Sequence, residues 1–410
     1  MRSTQGAQVV VRARVGGFEW AIVSLVAALL LSACGGGGTS ATSSAPAETA
    51  LSAQASLGEK IFKDVSLSAS GQQACASCHN PDAGHAPANA LSAQLGGPML
   101  NLQGRRSAPS INYLSFNTAF FFDAEGTPTG GFFWDGRATS LQDQAGEPFL
   151  NPVEMANASK ADVVSKLSQA PYAAEFQQAY GADIFTRPDD AYERLKLLLQ
   201  QYQREDVDFR AFSSKYDALL RGSAVFTDQE LRGLALFNSP VKGNCAGCHP
   251  SAKGADGSLP LFTDFTYDNL GVPRNPGLAQ NADPAFFDLG LCARGSDDVA
   301  TRTDLCGAFK VPSLRNVALR SVYFHNGRFN TLKDALTFYV QRDTNPEKWY
   351  PLNPDGSVNK FNDLPPQYHA NVNTTEVPYN RQLGDAPALN DAEVDDVIAF
   401  LKTLSDGYRP

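Results

Sequence analysis

Two copies of Cys-x-x-Cys-His constrain this chain more than any other feature. They are Cys75-Ala76-Ser77-Cys78-His79 and Cys245-Ala246-Gly247-Cys248-His249, 170 residues apart. On an exported chain this pattern is the attachment sequence of c-type haem: two thioethers fix the macrocycle and the adjacent His offers an axial nitrogen to iron. A zinc ribbon pairs its Cys-x-x-Cys units about 15–20 residues apart, so this spacing does not suit one. A thioredoxin-like pair has no reason to be followed twice by His. The motifs therefore predict two covalent haems, held by Cys75, Cys78 and His79 and by Cys245, Cys248 and His249.

The N-terminus supplies the export signal. Arg2, Arg12 and Arg14 precede an apolar run from Trp20 to Ala33, which ends Leu31-Ser32-Ala33-Cys34-Gly35. The run is short for a membrane span. It looks like a bacterial lipoprotein signal, with Cys34 lipidated; a plain secretory signal cut nearby is the rival. Residues 35 to about 54 are mostly Gly, Ser, Ala and Thr and read as a flexible tether. The expected organisation is a signal over 1–33, a tether over 34–56, a first haem domain over 57–220 and a second over 221–410. The expected location is the periplasm, at the periplasmic face of the outer membrane, with membrane contact only through the lipid anchor. A formal net charge of -9 excludes an ordinary nucleic-acid partner.

The body reads as mainly α, with long loops wrapped around something buried. Each haem motif follows a short amphipathic stretch, Leu57 to Phe62 for the first and Leu231 to Phe237 for the second, the latter opened by the capping box Thr227 to Glu230. This is a weak duplication of one module. Apolar spacing predicts further helices over Ala161–Leu167, Asp190–Tyr202, Asn330–Val340 and Asn390–Leu404, the last with Asn390 and Glu393 as cap and box. The 25 Pro and 34 Gly cluster between these segments, and alternating strand patterns are scarce.

Of seven Cys, the haems take four and lipidation takes Cys34. Cys292 and Cys306 remain, close together in an oxidising compartment, and are expected to form a disulfide, with two buried thiols as the alternative. Candidates for a second axial ligand are few. Met1, Met99 and Met155 are the only Met, and none follows His249. The remaining His are His85, His325 and His369, each more often structural than ligating. A haem without a strong sixth ligand can bind peroxide or dioxygen.

Further along stand Phe133-Trp134-Asp135-Gly136-Arg137-Ala138, then Gln144, Pro148 and Val153-Glu154-Met155. Later come Phe309-Lys310-Val311-Pro312-Ser313-Leu314-Arg315-Asn316 and Tyr323-Phe324-His325-Asn326-Gly327. With both haem motifs in order, this set resembles the bacterial di-haem cytochrome c peroxidase superfamily, which includes MauG and MbnH. The resemblance runs from residue 57 to 406. It implies two cytochrome c-like α domains with one haem each. Peroxide would react at the N-terminal haem and electrons would pass through the C-terminal one. It also implies that Trp134 bridges the haems and that Gln144 and Glu154 are the distal pair. Splitting the O–O bond of peroxide needs a group that takes a proton from one oxygen and returns it to the other; a sheltered carboxylate with a raised pKa does both.

Two departures place the chain nearer MauG and MbnH. Ordinary members carry a His well beyond the first motif that ligates the N-terminal haem until the other is reduced. Here the stretch from Asn80 to Phe133 offers only His85, six residues after His79, and Met99. The N-terminal haem is therefore expected to be open without reductive activation. The distal ligand of the C-terminal haem, Met in ordinary members and Tyr in MauG, falls at Tyr339, which also suits a core aromatic. A Trp of MauG near the second motif is replaced by Gly243. The family calcium would fall at Ser107 and at the carbonyls of Arg320 and Val322.

The leading expectation is a di-haem c-type peroxidase reducing hydrogen peroxide, with electrons from a small redox protein, either a cytochrome c or a copper protein. MauG/MbnH-like oxidation of residues in a partner protein is the alternative. A plain di-haem electron-transfer cytochrome and a structural or haem-storage lipoprotein are the readings from other classes.

Overall fold

The computed structural model describes residues 50–409. The expected signal, Cys34 and most of the expected tether lie outside the described residues. Among the described residues no helix is long and apolar enough to cross a membrane.

Ten α-helices carry the described chain: α1 (Ala53–Lys63), α2 (Cys75–Cys78), α3 (Leu141–Leu150), α4 (Lys160–Leu167), α5 (Ala173–Tyr180), α6 (Pro188–Glu205), α7 (Lys215–Leu220), α8 (Asp228–Asn238), α9 (Leu332–Gln341) and α10 (Asp391–Lys402). Their starts follow side-chain chemistry. Thr227 and Glu230 form the predicted box on α8, and Asn390 and Glu393 form the one on α10. Pro188 opens α6, where its missing N–H costs nothing, and Asp189 and Asp190 favour the positive helix end. Among the described residues strand structure is confined to three two-residue antiparallel ladders: β1 (Leu95–Gly96) with β2 (Leu102–Gln103), β3 (Phe121–Phe122) with β4 (Pro128–Thr129), and β5 (Tyr267–Asp268) with β6 (Phe309–Lys310).

Two hydrophobic cores organise these elements. The first draws on Leu57 through Phe209 and centres on Phe62, Phe149, Phe176 and Leu198. The second draws on Tyr216 through Leu404 and centres on Phe237, Phe262, Phe338 and Phe400. The same crossing is built in both. In the first, α1 packs along α6, and a Cβ on Gly58 would fall 2.1 Å from the Leu198 carbonyl oxygen. In the second, α8 packs along α10, and a Cβ on Gly233 would fall 2.0 Å from the Asp396 carbonyl oxygen. Only glycine lets the helix backbones approach so closely. The weak duplication in the sequence thus has a physical counterpart: each Cys-x-x-Cys-His follows a helix held by a glycine contact.

Three expectations need correction. The tether expected to reach residue 56 is helical from Ala53, because Ser52 Oγ accepts from the Ala55 N–H at 3.1 Å and Ala55 is fully buried. The boundary expected at 220 falls earlier. Helix α7 packs in the second core through Tyr216, and its Asp217 makes a buried bidentate pair with Arg315 at 2.8 and 2.9 Å. The helices α3, α5 and α7 escaped the periodicity reading. Gly146 and Pro148 inside α3 signal a break rather than a helix, and α7 has too few residues to show a period.

Candidate functional site

One continuous cavity of about 1510 Å³ has both haem motifs on its walls. Single small-molecule pockets typically hold roughly 300–1,000 Å³, so this space is large for one ligand. Its lining includes Cys75, Cys78 and His79 and also Cys245, Cys248 and His249, with Trp134.

Each motif arrives ready to hold a metal. Helix α2 is a single turn, so His79 leaves it beside both cysteines. The His79 Nδ1–H donates to the His85 carbonyl at 3.2 Å, and the His249 Nδ1–H donates to the Phe262 carbonyl at 2.8 Å. A carbonyl only accepts, so the proton sits on Nδ1 and Nε2 keeps its lone pair for iron. Burial pushes the His79 pKa down to about 4 and lowers that of His249, keeping both rings neutral as ligation requires. The four motif cysteines are free thiols. Burial pushes Cys75, Cys245 and Cys248 up to about 12. The disulfide joins Cys292 to Cys306 instead, with their Cα atoms 4.8 Å apart. A large apolar cavity, paired thiols on its wall and preset imidazoles fit two c-type haems.

Glu154 and Gln144 both line the cavity at the first motif. Gln144 is buried on α3, and Glu154 sits on the turn that follows. Desolvation pushes the Glu154 carboxyl up to about 7, against the attraction of Arg137 and with the help of Glu147. Its charge is felt at Cys75 and Cys78, whose thiols it helps to raise. Asn157, which the sequence reading did not single out, pins this turn. Its buried Nδ2 donates to the carbonyls of Leu67 and Phe149, each at 2.9 Å, while its Oδ1 accepts from Lys166.

Trp134 is held from both ends. Its Nε1–H donates to the Ser107 carbonyl at 2.8 Å, and its own carbonyl accepts from the Lys310 N–H at 2.8 Å. Asp135 beside it pairs with Arg106 at 2.6 Å and Arg137 at 3.0 Å. Arg106 also grips Asp288 at 2.6 and 2.7 Å. Arg106 carries no local motif, because its carboxylates lie 29 and 182 residues away.

Tyr339, on α9, lines the cavity and packs against Phe324 and Tyr379, with ring centroids 5.5 and 5.9 Å away. Burial, then the charges of Cys248 and Asp268, push its phenol well above the usual tyrosine range. It therefore sits within electrostatic reach of the second motif. The other ligand candidates have structural places. His85 stacks on Phe209 at 3.9 Å, and His325 stacks on Phe309 at 3.5 Å. His369 Nε2 pairs with the Leu364 carbonyl at 2.9 Å. Met99 is 79% exposed and off the cavity wall.

The expected calcium ligands do not form a cation site. The Val322 carbonyl accepts from Arg320 Nε at 3.2 Å, and the Arg320 carbonyl accepts from the Tyr323 hydroxyl at 2.7 Å. A guanidinium lies against one of the two carbonyl oxygens that a calcium ion would need, and a hydroxyl against the other.

Two c-type haem motifs on one shared cavity define a two-haem redox protein. The chain matches the family model described as di-haem cytochrome c peroxidase over residues 52–225. It is 36% identical over 394 residues to the methylamine utilization protein MauG of Paracoccus denitrificans, covering 93% of this chain and 95% of that one. It is 27% identical to the cytochrome c peroxidase Ccp of Escherichia coli, covering 86% of this chain and 58% of that one. The crystal structure of the di-haem peroxidase BthA from Burkholderia thailandensis superposes with a TM-score of 0.80 at 39% identity, covering 86% of each chain. The chain belongs to the di-haem cytochrome c peroxidase and MauG family.

Proposed function

We propose that this protein is a di-haem c-type peroxidase that reduces hydrogen peroxide at the His79 haem, with electrons relayed through the His249 haem. The observation that carries the reading is Glu154: a carboxyl with a pKa near 7 on the cavity wall beside the first motif, with buried Gln144 on the same wall. The reaction is H₂O₂ with two electrons and two protons giving two waters. Bound haem supplies the redox-active iron. Glu154 takes a proton from one peroxide oxygen and delivers it to the other. Gln144 orients the peroxide through its amide, and Trp134, fixed between Ser107 and Lys310, lies on the path between the clefts. The electron donor is a small cytochrome c or copper protein steered by the acidic surface. The exported chain is held by a lipid on Cys34 at the periplasmic face of the outer membrane.

A second reading is MauG-like oxidation of residues in a partner protein. Tyr339 favours it, because its phenol on the cavity wall near the second motif would, as a ligand of a bound haem, favour oxidised iron. Stoichiometric hydrogen peroxide added to the fully ferric protein, followed by optical and EPR spectra of both haems, tests these readings. Immediate reaction without a reductant supports the open first cleft and the MauG-like branch. Reaction only after one haem is reduced supports an ordinary peroxidase. Inertness in both states overturns peroxide chemistry and leaves an electron-transfer cytochrome.

A further inference from the structure

Arg320 is a half-buried cation with no anion beside it among the described residues. It forms no ion pair with any described residue, and its hydrogen bonds go only to carbonyls: Nε to Val322 at 3.2 Å and Nη2 to Ala108 at 3.2 Å. Its Nη1 has no hydrogen-bond partner among the described residues. Desolvation holds its pKa down to about 10, and its charge is felt at His79, where it favours the neutral ring. A second unpaired donor lies beside it. Ser107 precedes Ala108, is 1% exposed, and its hydroxyl has no partner. The neighbouring backbone is fixed: the Ser107 N–H donates to the His325 carbonyl at 2.7 Å, and the Ser107 carbonyl accepts from Trp134. Both residues line the haem cavity.

A fully buried hydroxyl without a partner is costly unless an acceptor arrives, and the half-buried guanidinium next to it, bonded only to carbonyls, still lacks a counter-charge. The only anions a c-type haem brings are its two carboxylates. A guanidinium matches a carboxylate in geometry as well as charge. We propose that Arg320 and Ser107 form the seat for a carboxylate of the His79 haem, with the Arg320 guanidinium as the built-in cation of this site in place of a calcium ion. The same segment carries Trp134, so the seat also ties the first haem's edge to the bridge between the clefts. The inference rests on the two-haem reading and not on peroxide turnover.

The test uses the full holoprotein and readouts other than turnover. Metal analysis after dialysis should find no stoichiometric calcium. EGTA or added calcium chloride should leave the EPR spectrum, the haem potentials and the melting temperature unchanged. One retained calcium per chain, or spectra that respond to EGTA, would overturn the proposal. Arg320→Gln removes the positive charge beside the first haem and should lower that haem's reduction potential, because a nearby cation favours the reduced state. Arg320→Lys keeps the charge and should hold the potential close to the parent. An Arg320→Gln protein with unchanged potentials would refute the carboxylate seat. If that variant does not accumulate with haem, Arg320→Lys against the parent tests the carboxylate seat through the first haem's potential and EPR signal. Both should hold close to the parent, and a shift as large as loss of the charge predicts would refute the seat. The calcium measurements on the parent decide whether Arg320 stands in place of a calcium ion. Failure of peroxide to react would leave all these outcomes readable.

Discussion

The indole nitrogen of Trp134 donates to the Ser107 carbonyl at 2.8 Å, and Ser107 in turn takes the His325 carbonyl through its own N–H at 2.7 Å. The indole is thereby fastened to a backbone segment of each half of the chain, 107 from the first and 325 from the second. An aromatic ring held this way has one orientation on the wall of the shared cavity. Trp134→Phe keeps a ring but loses the bond, at a cost of about 1 kcal/mol. Both haems should still be incorporated, while electron exchange between them slows. Stopped-flow spectra that follow the second haem after peroxide reaches the first give the measurement; an unchanged rate would remove Trp134 from the path.

Glu154 sets the chemical step in the proposed reaction. Glu154→Gln keeps the size and removes the proton carrier. Peroxide consumption should fall by roughly 10²–10⁴-fold, the usual worth of a positioned acid–base group. The haem stain and absorbance per chain should not change. Undiminished consumption would assign Glu154 a structural place.

The pH dependence follows from the same residue. Burial raises its pKa to about 7, so it is protonated below that value and ionised above it. The ionised form accepts the first peroxide proton. The rate of peroxide reaction should therefore rise as pH increases through about 7 and level off above it. Glu154→Gln should flatten this limb, and a parent profile that is flat across neutrality would argue for another base.

Tyr339 gives a spectroscopic prediction. If its oxygen reaches the second haem iron, Tyr339→Met should raise that haem's potential, because thioether ligation favours ferrous iron over phenolate ligation. Tyr339→Phe should change its EPR signal and leave the first haem's signal alone. Identical spectra in parent and Tyr339→Phe would return Tyr339 to the core with Phe324 and Tyr379.

Asp217 and Arg315 form an ion pair whose side chains are both fully buried. Burial opposes the Asp217 charge, and the Arg315 pairing overcomes it and holds its pKa below the usual carboxylate range. Its contribution is present above the unfolded pKa of about 3.9 and lost as pH falls through the lower folded value. Asp217→Asn leaves a buried guanidinium without its counter-charge, so stability should drop by about 3–5 kcal/mol. Thermal melts at neutral pH measure the loss, and the acid limb of the stability curve should become shallower than in the parent.

What could be read from the chain alone was local chemistry. The spacing within Cys75 to His79 and Cys245 to His249 announces haem attachment because the sulfurs and the imidazole must reach one macrocycle from a single turn. Thr227 with Glu230 and Asn390 with Glu393 announce helix starts because capping is decided over three residues. Helix α3 was hidden, since Gly146 and Pro148 argue against a helix locally and only packing against α6 overrides them. The anchoring by Asn157 of the turn that carries Glu154 was equally hidden, because its partners Leu67 and Phe149 come from different segments. Arg320 shows the division most clearly. In sequence it is a position whose carbonyl was expected to face a calcium ion. Folding turns its side chain back onto Val322 and across to Ala108, residues 2 and 212 positions away. Sequence determined which groups the chain has to offer and the short-range geometry around them. The tertiary structure decided which of those groups lose water together, and with that their charges, their partners and the meaning of the cavity they share.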